Sequence, residues 1–325
     1  MPPATAAQPS RPFGAVLSAM VTPFTASGAV DVDGAAALAE RLLAQGHDGL
    51  VVSGTTGESP TTSDAEKDRL LRAVLEAVGE RAHVLAGVGT NDTAHSVELA
   101  QAAEKAGAHG LLVVTPYYSK PPQAALAHHF RAVADATALP VMLYDIPGRS
   151  GVPIETETLV RLAEHDRVVA VKDAKGDLSA TSWVMARTDL AYYSGEDALN
   201  LALLAHGAAG VVSVVAHVAG ERYAAMVRAV DAGDLPAARA LHTRLLPAVR
   251  GIMTRTQGVV AVKAALELTG ALPRRAVRAP LLEATGEEVA AIAADLAAAG
   301  LLPGPEDAWS THPTVATAPV AGGAA

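Results

Sequence analysis

The chain of 325 residues contains no cysteine and very few aromatic residues. The lack of cysteine excludes disulfides, thiolate nucleophiles and cysteine-ligated metal sites within this sequence. Phe, Trp and Tyr together make up only 3% of the chain, although 50% of its residues are hydrophobic. A sizeable core is therefore expected, and it must be built mainly from Ala, Val and Leu.

Basic residues are also scarce, because 25 Lys and Arg stand against 34 Asp and Glu and give a formal net charge of −9. Such a chain lacks the basic patch that nucleic acids and anionic membranes require. No uncharged apolar stretch reaches the roughly 18 residues of a membrane span. The first dozen residues lack the apolar segment of a secretory signal. We therefore expect a cytoplasmic protein with neither a nucleic-acid nor a membrane partner.

Eight short apolar runs alternate with longer amphipathic segments, at a spacing of roughly 20 to 35 residues that is typical of a βα unit. The runs lie at 15–22, 49–54, 83–88, 110–116, 140–147, 167–173, 191–197 and 210–216. Their number and even spacing favour an α/β fold of the TIM (β/α)8 barrel type over an open doubly wound sheet.

The chain is predicted to divide into four parts. Residues 13–232 would form the barrel, and residues 233–303 would form a helical appendage. Within the appendage, helices are predicted at 236–253, 259–270 and 286–300. The ends, residues 1–12 and 304–325, are rich in Pro, Ala and Thr, so disordered tails are expected there.

Helix boundaries are visible in the connecting segments. One helix is predicted to begin at Asp31, and another at Ser63, where Glu66 three residues later completes a capping-box pattern. Glycines follow several of the helical patterns and are expected to end them, at Gly46, Gly79 and Gly107.

Functional residues of a TIM barrel lie at the carboxyl ends of its strands, and polar residues collect there in this chain. The segments are SGTTGES (53–59), TPYYSKPP (115–122), YDIPGRSG (144–151), the residue Lys172, SGED (194–197) and SVVAH (213–217).

Lys172 is the most informative of these residues, because it closes the apolar run VVAVK and should point into the barrel mouth. Burial of an amine lowers its pKa, and a neutral amine can attack a ketone to form an imine. The alternative is a structural lysine that pairs with Asp173. The other five lysines lie in predicted helices or loops and are interpreted as solvated surface residues.

Tyrosine is scarce, and three of the six tyrosines fall on two neighbouring strand ends. The phenol of Tyr144, on the strand beside Lys172, could shuttle protons during imine chemistry; the alternative is a core tyrosine. Tyr117 and Tyr118 are adjacent, so in an extended chain at most one of them would face the site.

Two further segments suit an anionic substrate. The SGTTGES turn offers two threonine hydroxyls and free backbone N–H groups to a carboxylate, unless it is an ordinary tight loop. Arg149, in the PGRSG turn, has a planar fork that fits a carboxylate; the alternative is a surface arginine. No metal-binding constellation is present among the 11 histidines, and the GHDG segment around His47 is interpreted as a solvated turn.

Taken together, the motifs resemble the dihydrodipicolinate synthase family of class I aldolases, and actinobacterial members most of all. The resemblance runs from about Phe13 to Leu302. It is carried by AMVTPF, SGTTGESPT, TPYYSKPPQ, LYDIPGRSG, VKDAKGDL, YYSGEDALNL and GVVSV in that order.

The resemblance implies catalytic roles for four residues. Lys172 would form the imine with pyruvate, and Tyr144 would be the proton shuttle beside it. Thr55 would link Tyr144 to Tyr118, and Tyr118 would enter from a neighbouring subunit. The resemblance also implies a homotetramer built as a dimer of dimers, and a tyrosine shared between subunits would make at least a dimer necessary for activity.

The resemblance also implies binding roles. Thr56 would hold the pyruvate carboxylate, Arg149 would anchor the carboxylate of L-aspartate 4-semialdehyde, and Gly195 and Val212 would line the pocket. A possible effector site for lysine would include Ser59, Asn91 and Tyr117. There Asp64 and Lys67 replace two histidines of lysine-sensitive relatives, and His95 replaces a glutamate, so weak or absent lysine inhibition is expected.

The implied reaction is 4-hydroxy-tetrahydrodipicolinate synthesis, in the diaminopimelate and lysine pathway, with no metal or organic cofactor. One alternative is a sister aldolase such as N-acetylneuraminate lyase or a 2-keto-3-deoxy sugar acid aldolase. Those relatives generally lack an arginine at the position of Arg149. A non-catalytic paralogue and a metal-dependent TIM-barrel enzyme are poorer alternatives, because no catalytic residue is lost and no ligand set is visible.

Overall fold

A computed structural model describes residues 9–303, and it contains a closed barrel of eight parallel strands in the order β1 to β8. The predicted TIM barrel is thereby confirmed. The strands are β1 Val16–Ala19, β2 Gly49–Val52, β3 His83–Gly87, β4 Gly110–Val114, β5 Val141–Asp145, β6 Val168–Asp173, β7 Ala191–Ser194 and β8 Gly210–Ser213.

Twelve α-helices accompany these strands in the described part of the chain. The bounds are α1 Val32–Ala44, α2 Asp64–Val78, α3 Thr93–Ala106, α4 Gln123–Asp135, α5 Pro147–Ser150, α6 Thr156–Leu162, α7 Leu178–Met185, α8 Asn200–Ala205, α9 Ala216–Asp231, α10 Leu235–Met253, α11 Gly258–Leu268 and α12 Gly286–Ala298. None of these helices is both long and apolar enough to cross a membrane.

The strands are buried on both faces, which explains why they are continuous apolar runs in the sequence. One set of side chains fills the barrel interior, among them Leu17, Leu85 and Met142. The alternating set packs under the surrounding helices and includes Val84, Leu111 and Leu143. Because successive side chains point to opposite faces, the strand register decides which polar residue reaches the barrel mouth.

The helix ends follow the capping signals of the sequence. Asp31 caps α1 by accepting a hydrogen bond from the Gly34 N–H, and Ser63 and Glu66 form the predicted capping box of α2. Gly107 ends α3 with φ of 92°, in the left-handed region where glycine has no steric penalty. These signals are local, which is why the sequence predicts them well.

The appendage consists of α10, α11 and α12, as the helical patterns predict, and α10 packs against α9 and α12. Helix α11 is buried on nearly all sides. That the appendage is a separate unit beginning at residue 233 remains a prediction.

Residues 1–8 and 304–325, most of the two predicted tails, lie outside the described residues. The tail boundary predicted at residue 12 does not hold for Arg11. Its guanidinium donates to both Asp231 carboxylate oxygens, at 2.7 and 2.9 Å, and to the Ala209 carbonyl at 2.7 Å. A distant ion pair therefore fixes a segment whose composition alone suggested disorder.

His47 corrects the interpretation of GHDG as a solvated turn, because its imidazole is buried and Nε2 lies 2.8 Å from the Ser18 hydroxyl. Nearby, His217 Nε2 accepts the Val21 N–H at 3.2 Å. Burial lowers the pKa of each imidazole to about 4. The folded protein therefore holds both rings neutral.

These histidines predict a loss of stability in mild acid. The unfolded chain binds protons below its ordinary histidine pKa of 6.5, whereas the folded chain binds them only near 4. The free energy of unfolding should therefore fall between these pH values, by up to about 1.4 kcal/mol per pH unit for each histidine. Urea unfolding at several pH values measures this slope. His47→Gln should make the slope shallower, and an unchanged slope would contradict the assignment.

Candidate active site

The site is built on the register of two neighbouring strands, which pairs Tyr144 of β5 with Lys172 of β6. Both side chains point into the barrel, since Met142 and Ala170, two residues earlier, belong to the interior layer. Lys172 and Tyr144 are only 4% and 5% exposed, and the Lys172 Nζ lies 4.2 Å from the centroid of the phenol ring.

Burial lowers the pKa of Lys172 to about 8, although the negative charge of Asp197 opposes the shift and Arg149 adds to it. At neutral pH the fraction of neutral amine then rises by about two to three orders of magnitude over that of a solvated lysine. The alternative pairing with Asp173 does not occur. The Asp173 carboxylate points to the opposite face, where it accepts from the Thr181 hydroxyl at 2.5 Å and from the Lys175 N–H at 2.8 Å.

Tyr144 stays protonated at neutral pH, because burial raises the pKa of its phenol to about 12. The nearby charge of Arg149 and the Thr55 hydroxyl act in the opposite direction. A protonated phenol beside a partly neutral amine can donate and take back a proton without leaving the site.

The loop that carries Thr55 and Thr56 follows β2 and is backbone-strained. Ser53 and Glu58, at its two ends, both have a backbone φ of 54°. This is a left-handed conformation that residues other than glycine rarely adopt. Thr56 is buried, and the loop is tied to the end of β1 by the Thr22 hydroxyl, which donates to the Gly57 carbonyl at 2.6 Å. Strain at the mouth of a barrel marks a loop held in place for function.

A cavity of about 410 Å³ opens at the mouth of the barrel, and Lys172 is not among the residues that line it. Tyr144 contributes to it, and Arg149 from the short helix α5 lies at its rim. Within the described residues, the Arg149 guanidinium makes no ion pair, so it is available to a ligand. The lining residues come from strands β3 to β5 and from the loops after β2 to β5, and are Ser53, Gly54, Thr55, Ser59, Pro60, Gly87, Gly89, Leu112, Val114, Tyr117, Tyr118, Tyr144, Ile146, Arg149 and Ser150.

Tyr117 and Tyr118 both contribute to the lining of this cavity, but only Tyr117 is half-buried. The chain is not extended here, because Tyr118 has φ of 74°. The Tyr118 side chain is 89% exposed and projects from the mouth of the barrel.

Gly195 lies beside Lys172, but neither Gly195 nor Val212 is among the residues that line the cavity, so their part in the pocket remains a prediction. A Cβ on Gly195 would stand 2.8 Å from the Lys172 Cγ, closer than real Cβ contacts, so only glycine leaves room for the amine's stem. Val212 is fully buried in the interior layer. The β7–β8 register pairs Ser194 with Val211, and its continuation brings Gly195 level with Val212.

Of the possible effector residues, Ser59 and Tyr117 line the cavity, whereas Asn91 is exposed outside it. Asp64 is occupied by two partners. Its carboxylate lies 2.9 Å from His95 Nε2 and 3.3 Å from Lys67 Nζ. The surroundings of this site therefore offer little free negative charge.

Sequence reasoning assigned no role to several residues that shape the site. Glu196 is half-buried and close enough to influence the pKa of both Lys172 and Tyr144. Asp197 fixes the loop after β8 by accepting the N–H groups of Val214 and Val215 at 2.9 and 3.0 Å. The SGED segment predicted that Glu196 and Asp197 lie at a strand end. The sequence alone does not indicate which of the two carboxylates points towards Lys172.

Lys263 was predicted to be a solvated surface lysine, and this is wrong. It is 0% exposed, and its Nζ lies 2.5 Å from a Glu58 carboxylate oxygen. The available signal was the helix VVAVKAAL, which is apolar on all sides and therefore buried.

Among residues 9–303, no cluster of three or more His, Asp or Glu side chains is arranged to hold a metal ion. The chemistry that the site offers comes from its own groups. A buried amine of lowered pKa lies beside a protonated phenol, and this phenol lines a cavity together with an arginine. Groups of this kind on a TIM barrel are those expected of a lyase of the class I aldolase type.

Comparison with known proteins narrows this class. The model of the dihydrodipicolinate synthetase family matches residues 12–299, and the chain belongs to that family. A 4-hydroxy-tetrahydrodipicolinate synthase of Kineococcus radiotolerans is 82% identical over 308 residues, which cover 95% of this chain and 100% of the relative.

Solved structures of dihydrodipicolinate synthases have the same fold as this chain. The enzyme from Cyanidioschyzon merolae, with lysine bound, has a TM-score of 0.87 at 40% identity, over 90% of this chain and 100% of the other. The chloride-inhibited enzyme from Acinetobacter baumannii, complexed with pyruvate, has a TM-score of 0.85 at 33% identity, over 89% and 99%. The family resemblance stated from the motifs is confirmed.

The close packing of Gly195 on Lys172 gives a testable prediction. Gly195→Ala should displace the lysine stem and lower kcat/KM by about 100-fold, because small displacements of a reacting group carry large costs in rate. The measurement is borohydride trapping of pyruvate together with steady-state rates. Gly286→Ala is the matched control, since a Cβ there meets nothing within 4 Å. Equal rates for both variants would contradict the packing argument.

Proposed function

We propose that the cavity binds pyruvate as a covalent imine on Lys172 and condenses it with L-aspartate 4-semialdehyde. The activity is that of a 4-hydroxy-tetrahydrodipicolinate synthase, a lyase of the diaminopimelate and lysine pathway. The observation that carries the proposal is the buried contact of Lys172 with Tyr144, which lines a cavity together with Arg149. Family membership and the names of the similar proteins support it.

The first steps use the lowered pKa of the lysine. The neutral Lys172 amine attacks the ketone carbon of pyruvate, and Tyr144 passes protons to and from the carbinolamine until water leaves. The protonated imine then draws electrons from the adjacent methyl group, which loses a proton to give the enamine. Because the imine is itself the electron sink, this mechanism calls on no metal or organic cofactor.

The later steps form the carbon–carbon bond and release the enzyme. The enamine carbon attacks the aldehyde of L-aspartate 4-semialdehyde, whose oxygen takes up a proton. The amino group of the adduct then attacks the imine carbon and expels the Lys172 amine, which closes the ring. In this scheme Thr56, Gly195 and Val212 surround the pyruvate end.

Arg149 supplies the preference for this aldehyde over sugar-derived substrates. Its guanidinium faces the cavity without an ion-pair partner among the described residues, and its planar fork suits the aldehyde's carboxylate. Sister aldolases that act on sialic or sugar acids generally lack such an arginine. No catalytic residue is missing, which disfavours a non-catalytic paralogue.

The functional assembly is proposed to be a homotetramer, a dimer of dimers, in which Tyr118 enters the site of a neighbouring subunit. Its 89% exposure in the single chain suits a side chain that a partner covers. Thr55 would then connect Tyr144 to the partner subunit's Tyr118 in a proton relay. A cytoplasmic location, with no membrane or nucleic-acid partner, completes the proposal.

The experiment is a coupled assay with pyruvate and L-aspartate 4-semialdehyde, in which the following reductase consumes nicotinamide cofactor. Lys172→Ala should remove turnover and borohydride trapping together. Arg149→Ala should keep trapping but lower kcat/KM for the aldehyde by about 100-fold or more, as expected when a charged anchor is lost. Trapping on wild-type Lys172 without turnover would reject the aldehyde assignment and redirect the search to sugar acids.

A second prediction concerns feedback inhibition of the enzyme by lysine. Lysine should inhibit weakly or not at all, because Lys67 and His95 surround Asp64 and no acid is available at position 95 for a cationic effector. The measurement is the initial rate against lysine concentration at saturating substrates. Lys67→His with His95→Glu should increase sensitivity. Half-inhibition of the wild type at submillimolar lysine would contradict this prediction.

A further inference from the structure

A buried ion pair joins the appendage to the loop of the active site. Lys263, in α11, and Glu58, in the loop after β2, are 205 positions apart in the chain and meet at 2.5 Å. Both side chains are almost completely buried, at 1% and 3% exposure. Removing two charges from water carries a large free-energy cost, so such a pair calls for a structural or functional reason.

The surroundings of Lys263 hold its ammonium in one place. Besides Glu58, its Nζ donates to the Ala276 carbonyl at 2.7 Å and lies 4.1 Å from the centroid of the Phe24 ring. Neighbouring residues of α11 are buried and apolar. The lysine is therefore rigid and cannot exchange its partner for water.

Glu58 is held from the other side by the segment after α11. Its second carboxylate oxygen accepts the Arg278 N–H at 2.9 Å. The Arg278 guanidinium in turn donates to the Thr61 carbonyl at 2.7 Å and pairs with Glu66 at 2.6 Å. Contacts from the appendage therefore hold both the loop after β2 and the start of α2 in place.

Glu58 is hydrogen-bonded directly to the turn that contains Thr55 and Thr56. Its own N–H donates to the Thr55 carbonyl at 3.2 Å, and the next N–H, of Ser59, donates to the Gly54 carbonyl at 3.3 Å. These bonds close the turn around Thr55 and Thr56. Because Glu58 has φ of 54°, the turn is strained and needs outside contacts to keep it.

We propose that Lys263 is a positioning residue for the imine chemistry: through Glu58 it holds the strained turn of Thr55 and Thr56, in which Thr55 lines the cavity together with Tyr144. This inference rests on the proposed function, because it assigns the turn a part in proton transfer at Lys172. The helical appendage is then a component of the active site, although it contributes no group that touches the substrate.

The test is the exchange of pyruvate methyl hydrogens with deuterium in D₂O, followed by NMR in the absence of any aldehyde. Exchange needs only the imine, the enamine and the proton relay, so it does not depend on the identity of the acceptor. Rates are expressed per site that borohydride can trap with pyruvate, which removes unfolded chains from the comparison. Tm is measured for every variant.

Three variants separate positioning from general stability. Lys263→Met leaves the Glu58 charge buried without its partner and should lower Tm. Lys263→Met combined with Glu58→Gln removes both charges and should restore much of the Tm, since apolar or neutral replacement of a whole buried pair is often tolerated. Asp295→Asn is the control, because Asp295 is a buried acid that pairs with Arg250 and Arg255 within the appendage, away from the loop.

We expect the exchange rate per trapped site to fall by about 10- to 100-fold in Lys263→Met, and to stay low in the double variant although its Tm recovers. Asp295→Asn should lower Tm while it exchanges at the wild-type rate. Recovery of exchange together with Tm in the double variant, or wild-type exchange in Lys263→Met, would overturn the inference. Absence of trapping and exchange in the wild type would instead reject the proposed function itself.

Discussion

The removal of one amine from water is the constraint on which the rest of this structure depends. Lys172 is buried inside a closed barrel, and its pKa of about 8 follows from that burial. Its neighbours suit this position: Gly195 leaves space for the side chain of Lys172, Asp197 limits the lowering of the pKa, and Tyr144 presents a protonated phenol. An amine that stayed solvated would be a poor nucleophile at neutral pH, whatever surrounded it.

The strained loop after β2 shows how such a site is supported. Ser53 and Glu58 adopt left-handed conformations that an unconstrained chain would leave. The contacts that maintain them come from distant parts of the chain, namely Thr22 at the end of β1 and the pair of Lys263 and Arg278 in the appendage. The loop that carries Thr55 is thus held both by the barrel and by the added helices.

Sequence reasoning failed where a residue's environment is set by contacts distant in the chain. Lys263 was interpreted as a surface residue because lysine is rarely buried, and its partner lies 205 positions away. His47 follows a glycine and precedes an aspartate, which suggested a solvated turn, yet packing against Ser18 buries it. Arg11 lies in a segment of disordered composition and is fixed by Asp231. In each case local composition was outweighed by a tertiary contact.

The sequence by itself determined the eight strands, the helix caps and the order of the motifs, because these depend on periodicity and on interactions between residues a few positions apart. It also placed Lys172, Tyr144 and Arg149 at strand ends, where a parallel barrel collects its functional groups. Only the tertiary structure decided that Tyr144 and Lys172 share one register, that the amine is desolvated, and that Lys263 reaches Glu58. The physical reason is that burial and electrostatic environment belong to the packed chain, since they are created by the neighbours that folding brings together.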